Sequence, residues 1–135
     1  MQLNQFSATA KAPAERFTGD VYVTPLHTAQ APSRLRASLV RFTPCARTNW
    51  HSHAVGQTLH VTEGVGVVAT RDGTVIQMRP GDTVYTPPGE EHWHGATADN
   101  FMSHIAMLEG TEDGDGTTWL EPVTDEHYKA AQQHN

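Results

Sequence analysis

Residues 50–64 read WHSHAVGQTLHVTEG, and residues 87–95 read PPGEEHWHG. Each stretch carries two histidines separated by a single residue. Side chains at i and i+2 of a strand share a face, so His51 and His53 point the same way if the first stretch is extended. Gln57 follows the Ala54-Val55-Gly56 bend, and His92 opens the strand of the second stretch. If both stretches are strands of one small barrel, His51, His53, Gln57 and His92 converge on one cavity. Three imidazoles and an amide oxygen are a donor set for a divalent transition metal. Four such groups buried without a shared partner would be costly, which favours an ion between them. Cys45 falls outside this spacing, so a thiolate site is not expected.

Working outward, the same parity sets His60 aside. Gln57, Leu59 and Val61 fall on one face and Thr58, His60 and Thr62 on the other, so His60 is expected outside the barrel. Residues 64–70 continue as a strand, Arg71-Asp72-Gly73 marks a hairpin turn, and residues 74–78 return. Arg79-Pro80-Gly81-Asp82 is a second turn before a short strand at 83–86. Pro87-Pro88-Gly89 cannot sit inside a central strand, because proline offers no ladder hydrogen bond. Residues 100–108 give one more strand, with Met102, His104, Ala106 and Leu108 on one face and apolar Phe101, Ile105 and Met107 on the other.

Upstream, residues 20–24 read as a strand and 25–32 as a loop that leaves His27 at the surface. Residues 35–43 alternate, placing Ser38, Val40 and Phe42 opposite Leu35, Ala37 and Leu39, with residues 44–49 as the turn into the His51 strand. Residues 1–15 form a polar, Ala-rich arm anchored by Phe6, expected as an edge strand on a partner subunit. Residues 110–135 are an acidic Gly/Asp loop and a tail. Thr124 or Asp125 caps one short helix there, and His127 and His134 are expected to be solvated. Short strands at regular spacing with one terminal helix indicate an all-β barrel or sandwich in a single domain spanning 1–135.

Composition excludes several classes. The chain has 135 residues, nine Lys plus Arg and a net charge of −6, with no basic stripe for nucleic acid and no polybasic membrane patch. It has no apolar run long enough to span a bilayer, and residues 1–11 lack the blocks of a signal peptide, so a cytoplasmic protein is expected. The lone Cys45 cannot form an internal disulfide and reads as an inert loop thiol. Six of the nine histidines fall between His51 and His104, which concentrates metal-binding chemistry in the middle of the chain.

The pattern His51-x-His53-x3-Gln57-x6-Gly64 resembles the first cupin motif, with glutamine where glutamate is usual. Gly81-x5-Pro87-x-Gly89-x2-His92-x3-Ala96 resembles the second, with alanine where asparagine is frequent. The resemblance implies a cupin β-barrel, a double-stranded β-helix or jelly roll. Across residues 16–128, the segments FTG, ARTNWHSH, GQTL, PGEEHWHGA and VTDEHY are similar to the small cupins that include the bacterial manganese-dependent (R)-selective hydroxynitrile lyases. In those enzymes three histidines and a glutamine hold the metal, and two further pocket histidines match His94 and His104.

That resemblance implies a metal-dependent lyase that cleaves and forms aromatic cyanohydrins such as (R)-mandelonitrile. The metal would acidify the substrate hydroxyl, His104 would take its proton, and His94 would meet the departing cyanide. Thr48, Val40, Phe42 and Leu59 are the expected pocket wall. Mn(II) is the expected ion, and Fe, Co, Ni and Zn also accept this donor set. With Gln57 neutral, the ion keeps its full double charge, which suits Lewis-acid chemistry better than redox cycling. A cupin oxygenase or isomerase and a non-catalytic metal-dependent binder stay open, because the barrel hosts many chemistries, while the intact donor set argues against a storage-type structural cupin. A small-molecule substrate and a homo-oligomer, dimer or tetramer, are expected.

Overall fold

The computed structural model describes every residue except Phe6, His134 and Asn135, so the arm's apolar anchor and one tail histidine lie outside the described residues. The strands are β1 (Ala10–Lys11), β2 (Phe17–Thr18), β3 (Val21–His27), β4 (Leu35–Phe42), β5 (Arg47–Thr48), β6 (His51–His53) and β7 (Gln57–Gly64). They continue with β8 (Gly66–Thr70), β9 (Val75–Met78), β10 (Thr83–Thr86), β11 (His92–Ala96), β12 (Met102–Glu109) and β13 (Thr117–Trp119). One helix follows, α1 (Asp125–Gln132). A six-stranded sheet runs β1-β3-β4-β12-β7-β10; a seven-stranded sheet runs β13-β6-β11-β5-β2, with β8 also on β11 and β9 on β8. The two sheets curl around a common interior as a jelly roll, the all-β fold that the short alternating strands predict.

Alternation positions the interior. On β7, Gln57, Leu59 and Val61 are buried while Thr58, His60 and Thr62 are not, and His60 bonds outward to Thr83 through Nδ1 at 2.8 Å. Val21, Phe42, Leu59, Val61, Met78 and Met102 form the apolar part of the barrel core. Each such side chain contributes about 2 kcal/mol relative to exposure. The opposite face of the first sheet is partly apolar: Leu39, Ile105 and Met107 are half-buried, and Leu35 is exposed.

The structure corrects the sequence reading at several places. β3 runs on through Pro25 to His27, because the register shifts between those residues and the ladder tolerates the missing proline donor there. The strand expected over 64–70 is broken at Gly64, whose φ of 76° ends β7 and sends the chain into the other sheet. A Cβ at Gly64 would collide with the carbonyl of Phe101. The arm's Ala10 and Lys11 pair with Val23 and Tyr22 of their own chain. Within the expected loop at 110–118, Thr117 begins β13, which pairs with β6.

The carboxyl-terminal helix is docked rather than free. Thr124 caps it, its hydroxyl accepting from the His127 N–H at 3.1 Å. Val123, Tyr128 and Ala131 pack with Trp50, Val67, Ala69 and Trp93 against the second sheet. Arg47 is buried beneath it, donating to the Val123 carbonyl at 2.8 Å and to Asp125 at 2.7 Å, with its guanidinium 4.5 Å from the Tyr128 ring centroid. His127 is not simply solvated: its ring meets Trp50 and Trp93 at centroid distances of 5.3 and 6.0 Å. Among the described residues no helix is long and apolar enough to cross a membrane.

Candidate metal centre

β6 is only three residues long, with His51 and His53 facing inward and Ser52 between them half-buried. Its register is fixed on both sides. His51 lies opposite His92 of β11, and His53 and His51 lie opposite Thr117 and Trp119 of β13. The imidazoles therefore meet: ring centroids are 4.3 Å apart for His51 and His92, 5.0 Å for His51 and His53, and 5.5 Å for His53 and His92. One nitrogen from each lies within 4.8 Å of the others. Gly56, with a φ of 84°, turns the chain so that Gln57 starts β7 with its side chain buried on the same cavity.

Hydrogen bonds orient the rings. His51 Nδ1 bonds the Asn49 carbonyl, His92 Nδ1 the Glu90 carbonyl and His53 Nδ1 the Thr117 hydroxyl, each at 2.9 Å. The carbonyls make Nδ1 the donor in His51 and His92, which leaves Nε2 free to ligate, and the Thr117 hydroxyl can accept from His53 in the same way. His53 Nε2, His92 Nε2 and Gln57 Oε1 are buried with no hydrogen-bond partner among the described residues. Burial is the main cause that lowers the pKa of all three rings: His51 well below its ordinary value, His53 to about 4 and His92 in the same direction. The neighbouring His92 adds to the effect on His51 and His53. The rings are neutral at physiological pH, as metal ligation requires. Three oriented imidazole nitrogens and one amide oxygen, with the oxygen and two of the nitrogens otherwise orphaned, fit a divalent ion.

Two more imidazoles stand beside this set. His94 follows His92 on the inner face of β11, and His104 on β12 lies opposite Val40 of β4. His104 Nε2 and His94 Nδ1 share a hydrogen bond at 3.1 Å. His94 is 5.3 Å from His51 between ring centroids. Burial pushes His104 down to about 4 and His94 well below the usual histidine value, so both are neutral at pH 7. Thr48 holds the backbone N–H of His94 through its hydroxyl at 3.2 Å.

These groups open on a cavity of ≈ 320 Å³. Val40 and Thr48 line it as expected, whereas Leu59 lies in the apolar core and does not reach its wall. Phe42 stands behind the paired histidines, its ring 5.8 Å from His94 and 5.3 Å from His104, rather than on the wall. His27, placed at the surface by the sequence reading, lines the mouth because β3 extends to include it. Thr117, Trp119 and Arg36 also line the cavity and were not anticipated. Trp119 stacks on His51 at 4.7 Å and 29°, and Phe17 braces it at 5.6 Å. The signal for β13 was the β-branched and aromatic run TTW, masked by the Gly and Asp residues before it.

The family model described as the cupin domain matches residues 38–107, which contain all four candidate metal donors and both paired histidines. The chain belongs to the cupin family. This cupin is 46% identical over 122 residues to the (R)-mandelonitrile lyase of Granulicella tundricola, covering 90% of this chain and 92% of the relative. Among solved structures it is similar to a cupin-like protein of Thermotoga maritima, with a TM-score of 0.87 and 34% identity over 98% of this chain and 99% of the other. A cupin 2 conserved barrel domain protein of Rhodopseudomonas palustris shares the fold, with a TM-score of 0.70 and 16% identity over 89% of this chain and 79% of the other.

Proposed function

We propose that this cupin is a metal-dependent lyase that cleaves aromatic cyanohydrins such as (R)-mandelonitrile to aldehyde and hydrogen cyanide, and runs the reverse addition. The observation that carries this reading is the neutral, hydrogen-bonded pair His94 and His104 beside four convergent metal donors. The similarity to a relative named (R)-mandelonitrile lyase supports it. His51, His53, Gln57 and His92 would hold a divalent ion, with Mn(II) the expected one, which would supply Lewis acidity toward the substrate hydroxyl. Gln57 adds no charge to the site, in keeping with that role.

The protein's own groups do the rest. His104 is neutral and accepts the hydroxyl proton as the C–C bond to the nitrile carbon breaks. The 3.1 Å bond from its Nε2 to His94 Nδ1 passes that proton along the pair. His94 Nε2, buried and without a partner among the described residues, is the atom left to deliver a proton to cyanide. Hydrogen cyanide and the aldehyde leave together, and no oxidant is consumed. Phe42 backs both rings, Thr48 fixes the His94 backbone, and Val40 supplies an apolar wall beside the reacting carbon.

The test is benzaldehyde release from (R)-mandelonitrile by metal-loaded protein, by chelator-stripped protein and by His104→Ala, with metal content measured in parallel. Loss of release on stripping, its return on reloading and a decrease of roughly a hundredfold in the variant are expected. Full activity after stripping, or an unaffected His104→Ala, overturns the mechanism.

A further inference from the structure

The cavity wall carries a cation that the steps above do not use. Arg36 lies on β4 with the inward parity of Ser38 and Val40 and lines the cavity with them. It is the one Arg or Lys on that wall among the described residues. Arg36 stands opposite Leu108 of β12, and Leu108 stands opposite Gln57 of β7. The guanidinium thus belongs to the same row across the sheet as the amide ligand, its backbone about 10 Å away, two strand spacings.

Among the described residues this guanidinium has no hydrogen-bond or ion-pair partner. Its Nε is buried without a hydrogen bond among the described residues, and packs where a Cβ on Gly110 would come within 3.2 Å. No carboxylate among the described residues lies within ion-pair distance of it. Glu112 pairs with Arg34 at 3.5 Å, and Asp115, which also lines the cavity, accepts the Thr117 N–H at 2.9 Å. Arginine does not shed its proton, so a part-buried and unpaired guanidinium carries a desolvation cost that an anion would offset. Its planar fork of donors matches a carboxylate with two parallel hydrogen bonds. Between Arg36 and the metal donors the wall is mostly apolar, with Val40, Ala106 and Trp119, which suits a ring or short chain.

We propose that Arg36 receives a carboxylate borne by the substrate at the end remote from its hydroxyl, so that the preferred cyanohydrins and aldehydes are anionic. This rests on the lyase reading of the same site. The experiment compares three nitriles on the metal-loaded protein: mandelonitrile, the cyanohydrin of 4-formylbenzoate and the isosteric, neutral cyanohydrin of 4-formylbenzamide. The carboxylate is expected to exceed the carboxamide by about tenfold in kcat/KM, the size of one charge-assisted hydrogen bond. Arg36→Gln should erase that ratio and Arg36→Lys should restore part of it.

Binding of 4-formylbenzoate and of 4-formylbenzamide, followed by quenching of tryptophan fluorescence, gives a second readout that needs no turnover. Cleavage of mandelonitrile with a carboxylate-to-carboxamide ratio below twofold, or a ratio unchanged in Arg36→Gln, overturns the Arg36 proposal and leaves the lyase reading intact. Cleavage of none of the three, with tenfold tighter binding of the benzoate that Arg36→Gln removes, overturns the lyase reading and keeps the anion site. Equal binding of both aldehydes, with no cleavage, overturns both.

Discussion

Replacing Thr117 by valine removes one oxygen from the candidate metal centre without touching a proposed ligand. The Thr117 hydroxyl is the sole hydrogen-bond partner of His53 Nδ1 among the described residues, at 2.9 Å, on a strand that valine suits as well as threonine. The variant leaves a buried ring nitrogen unsatisfied, which costs about 1–3 kcal/mol of folding stability. It also removes the bond that orients the His53 ring with Nε2 towards the other donors. Loss of such an orienting partner lowers metal affinity by about 10–100-fold, equivalent to about 1.4–2.7 kcal/mol. Competition against a chromophoric chelator measures the affinity, and thermal unfolding with and without metal separates it from the stability loss. Thr117→Ser keeps the hydroxyl and should bind metal within a few-fold of the native protein. A folded Thr117→Val with native affinity, or a serine variant as weak as the valine one, refutes the role assigned to this hydroxyl.

Gln57→Glu adds a negative charge to the donor set. Metal affinity should rise by tenfold or more in the chelator competition while cyanohydrin cleavage falls, because the ion's charge is partly neutralised; faster cleavage would contradict the Lewis-acid reading. Stability of the metal-free protein should fall with acid. His104 and His53 have pKa values of about 4 in the fold against an ordinary 6.5, so the unfolded chain binds more protons between those limits. Stability is then complete above pH 6.5 and is lost as pH falls towards 4, by about 3 kcal/mol for the fully buried His104 alone. Denaturant titrations at pH 7 and 4.5 check this, and equal midpoints would refute it. Arg47→Met keeps the stem but leaves the Val123 carbonyl and Asp125 without their partner. A loss of about 1–3 kcal/mol, seen as a thermal midpoint lower by about 3–10 °C, is expected.

The convergence of His51, His53 and His92 was legible in the sequence because strand parity is a local property. His51 and His53 are two residues apart, His60 is an odd step from Gln57, and His92 needs only a second strand close by. The turns were legible for the same reason: Gly56, Gly73, Gly81 and Gly89 all adopt positive φ where the chain reverses. β13 was not, since three residues inside a Gly- and Asp-rich segment become a strand only by pairing with β6. The hydrogen bond that makes Thr117 part of the metal centre spans 64 positions.

Leu59 and Arg36 show where parity stops. Both lie on inward faces, as alternation requires, yet Leu59 is covered by the core and Arg36 opens on the cavity. Parity assigns a face, whereas the curl of the barrel decides which inward side chain covers another. An apolar residue two positions from a ligand looks like pocket wall, and an arginine on the same sheet looks like surface. The register corrects the second, because Gln57, Leu108 and Arg36 form one row across three strands. That row joins Gln57, the neutral donor of the proposed metal centre, to the cation at the far end of the wall. A substrate spanning it would meet positive charge at both ends, so an anionic oxygen at one and a carboxylate at the other are the complementary groups.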